Sequence, residues 1–452
     1  MSAENSSKEF TIRIIARLLI FLVLTGISSL GLSVDAEGRI GDVPAEKRQI
    51  ILSRVQVFDP AAGVLQEAQD ILIEGEQIKA LGRRDAFQKD TSYKDATKID
   101  LNGKFVLPGL FECHTHLAFL PTNSEEEMIK ELRAFVCNGI TQVRDLGGPI
   151  DIVSRMSERI SKGEILGPKM FYSGPQLQSS PLFYARKNET LPGFTVSINS
   201  KEDVDRVLTD LARKGACMVK TYNRMDLDVY KHLLDVAQKY GLRPVHDPGR
   251  YLYHSLTMDT VMDMGVTSIE HCIAPWPLVL KDELKKQHDH LMATDADEAA
   301  RDALMTKVIE LGVDSISLDK LQRLLDKMLE HNVYICPTLW IYGYEDIFTP
   351  FFIKHGVKIL VGHDGPSPTK LFWEMKKLME LGLSEVEILR GVTIYPAQWL
   401  GVEDSFGSIV SGTQANLLIL DRNPLDDIAN IESAHMVLKN GQVVFNKEEY
   451  KE

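Results

Sequence analysis

Two histidines, His114 and His116, stand two apart in the run PGLFECHTHLAF. Residues two apart on a strand leave the same face, so both imidazoles can converge on one divalent ion. Three more candidate ligands end short apolar runs: His246 in RPVHD, His271 in TSIEHC and Asp364 in KILVGHD. Lys220 in CMVKTY ends a further run, where an ammonium is costly to bury. Its neutral amine can add carbon dioxide, and the carbamate so formed is an anionic, two-oxygen ligand able to bridge two ions. The alternatives are plain: histidines packed in a core, and a lysine reaching past its strand to solvent or a surface carboxylate. His288 and His290 also read H-x-H, but in a helical stretch they point to different sides.

Composition narrows the chemistry further. With 44% hydrophobic and 25% charged residues among 452, the chain is ordinary globular material of two or three domains. Its 51 Lys and Arg against 64 Asp and Glu leave −13, a balance that repels nucleic acid. Five scattered cysteines with no C-x-x-C pair argue against a zinc knuckle or a disulfide framework. There is no G-x-S-x-G elbow, no phosphate-binding G-x-x-x-x-G-K-[ST] loop and no G-x-G-x-x-G after a strand, which disfavours a serine hydrolase or a nucleotide enzyme. Gly147 and Gly148, followed by Pro149, read as an ordinary turn.

The elements that must position these groups follow from periodicity. Eight strand-like runs (ECHTHLAF, ITQVRDLGG, PKMFYSG, CMVKTY, RPVHD, TSIEHC, VYICPTLW and KILVGHD) are separated mostly by helix-length segments. That pattern predicts an α/β fold, a (β/α)8 TIM-type barrel over residues 109–398, with functional groups at the C-terminal strand ends. Residues 47–108 and 399–452 alternate like short antiparallel strands, with Asn440-Gly441 as a hairpin turn, and are expected to form one small β-sandwich domain from both ends of the chain. Residues 273–332 exceed one crossover and are expected to carry extra helices, either a lid or a solvated decoration.

At the N-terminus, Lys8, Arg13 and Arg17 precede an uncharged run over 18–34 that closes on Val34-Asp35-Ala36. Residues 1–36 therefore read as a secretory signal peptide cleaved after Ala36, or as an uncleaved membrane anchor. The remainder is expected to be exported, periplasmic or extracellular, touching a membrane only through this segment.

The order P-G-L-x-x-x-H-T-H, R-D-L-G-G, V-K-x-Y, a single His, I-E-H and G-x-D resembles the amidohydrolase superfamily. With the tail TIYPAQWLGVEDSFGSIVSGTQANLLILDRNPLDDI, it is similar to the imidazolonepropionase-like branch that includes prolidase-like dipeptidases. The resemblance implies a site of two divalent ions, usually zinc. In it His114 and His116 hold the buried ion, completed by Asp364, His246 and His271 hold the exposed one, and Lys220, carbamylated by carbon dioxide, bridges them. It implies hydrolysis of a C–N bond by a metal-bound hydroxide, with Asp364 moving the proton. Two departures stand out: Glu112-Cys113 before H-T-H, and Asn416 where the tail usually has Asp, a change that would loosen the β domain.

Other residues are weighed beside these. Tyr222, on the face of Lys220, and Arg250, in HDPGR, are candidate substrate contacts, against a packing tyrosine and a solvated arginine. Arg144-Asp145 are expected to form an ion pair bracing the site, and alternation turns His363 away from the metals. The leading expectation is a dipeptidase or amidase acting on dipeptide-like or N-acyl amino-acid substrates. Hydrolysis of a cyclic amide or deamination of a small heterocycle comes second, and a non-catalytic binding protein on the barrel third. The partner is a small molecule, not nucleic acid, with homo-oligomerisation left open.

Overall fold

The computed structural model describes residues 48–449 except 88–89, 120–123, 223, 249–255 and 294–297, and ahead of these a pairing of Ser33–Val34 with Ile40–Gly41. The leader expected at 1–36 is, apart from Ser33–Val34, outside the described residues, and so is Arg250. Among the described residues no helix is long and apolar enough to cross a membrane.

All eight expected runs are strands: β1 (Leu110–Thr115), β2 (Ile140–Asp145), β3 (Lys169–Tyr172), β4 (Met218–Tyr222), β5 (Arg243–Asp247), β6 (Ser268–Glu270), β7 (Tyr334–Cys336) and β8 (Lys358–Ile359). The first three form a parallel sheet in the order β3-β2-β1. The other five run in sequence order through a seven-stranded parallel sheet, whose far edge carries Gln176–Gln178 and Thr195–Ser197. Every residue of β1, β2 and β4 is buried, because helices cover one face and packed side chains the other. Backbone bonds join the sheets at both margins: Cys217 N donates to Tyr172 O at 3.1 Å, and Asp364 N donates to His114 O at 2.8 Å. Gly362 permits the second join, since a Cβ there would collide with the His114 backbone nitrogen and the Glu112 carboxylate.

Between strands the chain returns through amphipathic helices. Lys201–Arg213 starts at Ser200, whose hydroxyl accepts from Asp203 N, and buries Val204, Val207, Leu208 and Leu211. Leu227–Tyr240 starts at Asp226 and stops at Gly241, which takes the left-handed conformation (φ 68°) that favours glycine. The long interval before β7 holds Trp276–Val279, Asp282–Ala293, Glu298–Leu311 and Leu318–Glu330. On Asp282–Ala293, His288 is buried and His290 exposed, as a two-residue step on a helix requires.

The two ends of the chain meet in one eight-stranded sheet. Phe105–Pro108 is the link: it pairs in parallel with Gln49–Asp59 and antiparallel with Leu417–Leu420. Continuous hydrogen bonding links the strands from both ends, and two pairings, those of Gln49–Asp59 with Thr97–Asp100 and with Phe105–Pro108, are parallel where antiparallel ones were expected. The sheet surrounds its own core, including Leu52, Val57, Val106, Leu417 and Met436. The Asn416 side-chain oxygen accepts from Asn440 N at 2.7 Å and holds the Asn440-Gly441 hairpin.

Candidate metal centre

The C-terminal ends of the strands bring five of the expected ligand residues together. His114 and His116 leave β1 on one face, and Asp364 reaches them from beyond β8: its Oδ1 is 3.0 Å from His116 Nε2 and 3.5 Å from His114 Nε2. The ligand atoms of these three lie within 4.8 Å of one another, two nitrogens and an oxygen on a buried floor, a donor set that suits a divalent ion. Lys220 Nζ lies 3.4 Å from His114 Nε2, and His271 Nδ1 stands 4.0 Å from Asp364 Oδ2. Burial, reinforced by Lys220, pushes His114 down to about 3, so its ring is neutral and can offer a lone pair. Burial disfavours charge on Asp364 as well, but the neighbouring His114 and His116 outweigh it and hold the carboxyl well below the usual range.

His246 is the exception. On β5 it lies in register with Thr221, while Asp247 lies in register with Tyr222 and so shares the inward face of Lys220. The His246 ring faces outward: Nδ1 is 3.2 Å from Thr221 Oγ1, Nε2 is 3.1 Å from the Leu256 carbonyl, and Tyr230 of a covering helix packs against it. Burial pushes its pKa down to about 4. The place expected for His246 is filled by Asp247, whose Oδ2 is 3.2 Å from Lys220 Nζ and 3.1 Å from His271 Nε2.

A layer of buried partners orients these groups. Glu270 Oε2 is 2.8 Å from His114 Nδ1, which leaves Nε2 for the centre. The other oxygen of Glu270 accepts from Arg144 at 2.7 Å and from Ser268 Oγ at 2.8 Å. Arg144 and Asp145, neighbours on a strand, therefore point apart and do not pair as expected: Asp145 accepts instead from Leu117 N at 2.8 Å. Gly147 is more than a turn residue. Its carbonyl lies 3.0 Å from His116 Nδ1, and a Cβ there would strike that imidazole. His363 turns from the cluster to Glu112 Oε2 at 2.6 Å, and Thr338 Oγ1 holds His271 Nδ1 at 2.7 Å.

Aromatic rings wall the site. Phe194 meets His116 edge to face with centroids 6.1 Å apart, and Tyr342 lies 4.6 Å from His271. Tyr222 is buried against Phe183 at 5.6 Å and Tyr184 at 5.9 Å, which makes it part of this wall.

Asp247, Glu270, Thr338 and the rings were missed in the sequence. Parity along β5 offered the one available signal, since Val245 and Asp247 must face opposite to His246. Glu270 and His271 are adjacent yet both face inward, because His271 takes a left-handed backbone (φ 72°) that breaks the alternation; Asp364 does the same (φ 60°). No pattern of residue types announces such a turn.

Known proteins agree with this architecture. A family model for the amidohydrolase family matches residues 350–444. The imidazolonepropionase of Acinetobacter baumannii is 21% identical over 364 residues, covering 78% of this chain and 87% of that protein. A crystal structure of a Xaa-Pro dipeptidase with bound methionine in the active site matches with TM-score 0.66 at 19% identity, over 87% of this chain and 99% of that one. A prolidase complexed with N-methylphosphonate-L-proline matches with TM-score 0.64 at 20% identity, again over 87% and 99%. The structural likeness gives the fold, a TIM-type barrel with a small sheet domain. The family-model match over residues 350–444 and the likeness to imidazolonepropionases over most of the chain, together with the strand-end histidines and Asp364, support the amidohydrolase superfamily for this chain, while the solved structures support its fold.

Proposed function

We propose that this protein is a two-ion hydrolase that cleaves the amide of a dipeptide-like or N-acyl amino-acid substrate bearing an apolar or ring-containing group. The coarser class, a metal-dependent hydrolase of carbon–nitrogen bonds, follows from its superfamily. The convergence of His114, His116 and Asp364 carries the finer reading. We also propose that the joins at Cys217 and Asp364 close the two parallel sheets into one eight-stranded barrel, and that residues 1–36 direct export.

His114, His116 and Asp364 would hold the inner ion, and Lys220, as its carbamate, would bridge to an outer ion held with His271. When bound, two such ions, zinc in the leading reading, would supply the charge that lowers the pKa of water from about 15.7 toward 7 and would polarise a carbonyl. The chain does the rest. Glu270 and Gly147 fix the histidine rings, so little reorganisation accompanies reaction. Asp364, ionised and directed inward, takes the proton at Oδ1 or Oδ2 and returns it to the leaving nitrogen. Phe194, Tyr184, Tyr222 and Tyr342 exclude water and supply apolar area beside the scissile bond. Arg250 remains a proposed anchor for a substrate carboxylate.

Similarity to imidazolonepropionases, named for a heterocyclic substrate, supports a second reading, the opening of a cyclic amide. A panel of N-acyl amino acids and Xaa-Pro and Xaa-Arg dipeptides, assayed beside hydantoins and lactams, separates the two. Turnover confined to open-chain amides supports the first, turnover confined to rings the second, and turnover of neither contradicts both.

A further inference from the structure

We propose that Asp247, and not His246, is the strand-five ligand of the outer ion. This rests on the two-ion reading above and departs from the histidine that the superfamily resemblance implies there.

Geometry excludes His246. Both ring nitrogens have partners on the outer side of β5, since Nε2 must carry hydrogen to donate to the Leu256 carbonyl and Nδ1 then accepts from Thr221 Oγ1. To bring the ring inward, β5 would have to slip by one residue. That would turn the buried Val245 outward and Asp247 away from its partners, and every side chain of the strand would change face.

The same register delivers Asp247. Its carboxylate is buried, 3.1 Å from His271 Nε2 and 3.2 Å from Lys220 Nζ, the two groups between which an outer ion would sit. A carboxylate oxygen in place of an imidazole nitrogen adds one negative charge and a harder donor. Oxygen-rich sites suit manganese better than nitrogen-rich ones do, so Asp247 also biases the outer position toward manganese relative to zinc.

The test is metal stoichiometry, by elemental analysis of the full-length protein after chelation and reloading, with circular dichroism as the check on folding. Wild type and His246→Gln are expected to hold two equivalents, and Asp247→Ala one. Asp247→His should regain the second equivalent, with its competition ratio shifted at least tenfold toward zinc over manganese. An Asp247→Ala protein that keeps both ions overturns the assignment and leaves the two-ion reading intact. A folded His246→Gln protein that loses one overturns it too, and His246→Asn decides the matter should the Gln variant not fold. A single equivalent in the wild type would defeat the two-ion reading itself. Asp247 is then judged by affinity for that one ion: a tenfold loss in Asp247→Ala supports its role as a ligand, and no change overturns it.

Discussion

His114 Nδ1 lies 2.8 Å from Glu270 Oε2, and the opposite oxygen of that carboxylate binds Arg144 at 2.7 Å. One buried side chain therefore orients the His114 ring and neutralises a buried guanidinium. Replacing Glu270 by Gln should weaken metal binding about 10- to 100-fold, because His114 loses its orienting partner. It should also lower the unfolding free energy by about 3–5 kcal/mol, because Arg144 is left as an uncompensated buried charge. Adding Arg144→Met should restore stability in urea but not affinity in chelator competition. Equal recovery of both would contradict the double role.

Thr338 makes a similar contact to His271 at 2.7 Å. Thr338→Ala should cost about tenfold in metal affinity, while Thr338→Ser, which keeps the hydroxyl, should bind like wild type. Zinc competition with a chromophoric chelator measures both, and equal losses in the two variants would assign the effect to packing.

Lys220 is expected to act through a carbamate. Lys220→Ala should lose hydrolysis and one metal equivalent, and short carboxylic acids such as formate or acetate should restore both in part. A Lys220→Ala protein with full activity and two ions would refute the bridging role.

The aromatic wall predicts selectivity. Tyr184→Ser removes a ring that meets Tyr222 and Phe194, so kcat/KM for substrates with apolar side chains should fall about fivefold, the equivalent of about 1 kcal/mol. Substrates with small polar side chains should change little. A uniform loss across the panel would argue against side-chain recognition by the wall.

Glu374 gives a pH signature away from the ligands. Burial pushes its carboxyl up to about 8, although both oxygens accept backbone N–H groups, from Leu339 at 2.7 Å and Trp340 at 2.9 Å. The unfolded chain, with an ordinary value near 4.5, releases this proton earlier than the folded one. Stability from this group is thus complete below the unfolded value and is lost as pH rises toward 8. Urea midpoints of the wild type should fall relative to Glu374→Gln between pH 5 and 8, and parallel profiles would contradict the shift.

The strands were legible because parallel, two-sided burial leaves apolar runs that end abruptly in polar residues, as TSIEHC and KILVGHD do. His114 and His116 come together because residues two apart on a strand leave the same face. His246 closes its apolar run as His271 does; parity separates it from Asp247, but only packing against Tyr230 and Leu256 shows which side is out. Glu270 and Thr338 were hidden by backbone turns at His271 and Thr338 (φ 52°), which depend on tertiary contacts. The parallel pairings of the small domain were not legible because Phe105–Pro108 reads like any short strand, and its pairing on both edges is a long-range event.

Side chains from separate strand ends are proposed to hold two divalent ions that hydrolysis requires. Zinc or manganese titrated into the stripped protein, with cleavage of the best panel substrate followed in parallel, decides this. Activity should be absent without metal, rise with occupancy and level off at two equivalents. Full activity in protein shown to be free of metal would rule out a two-ion site.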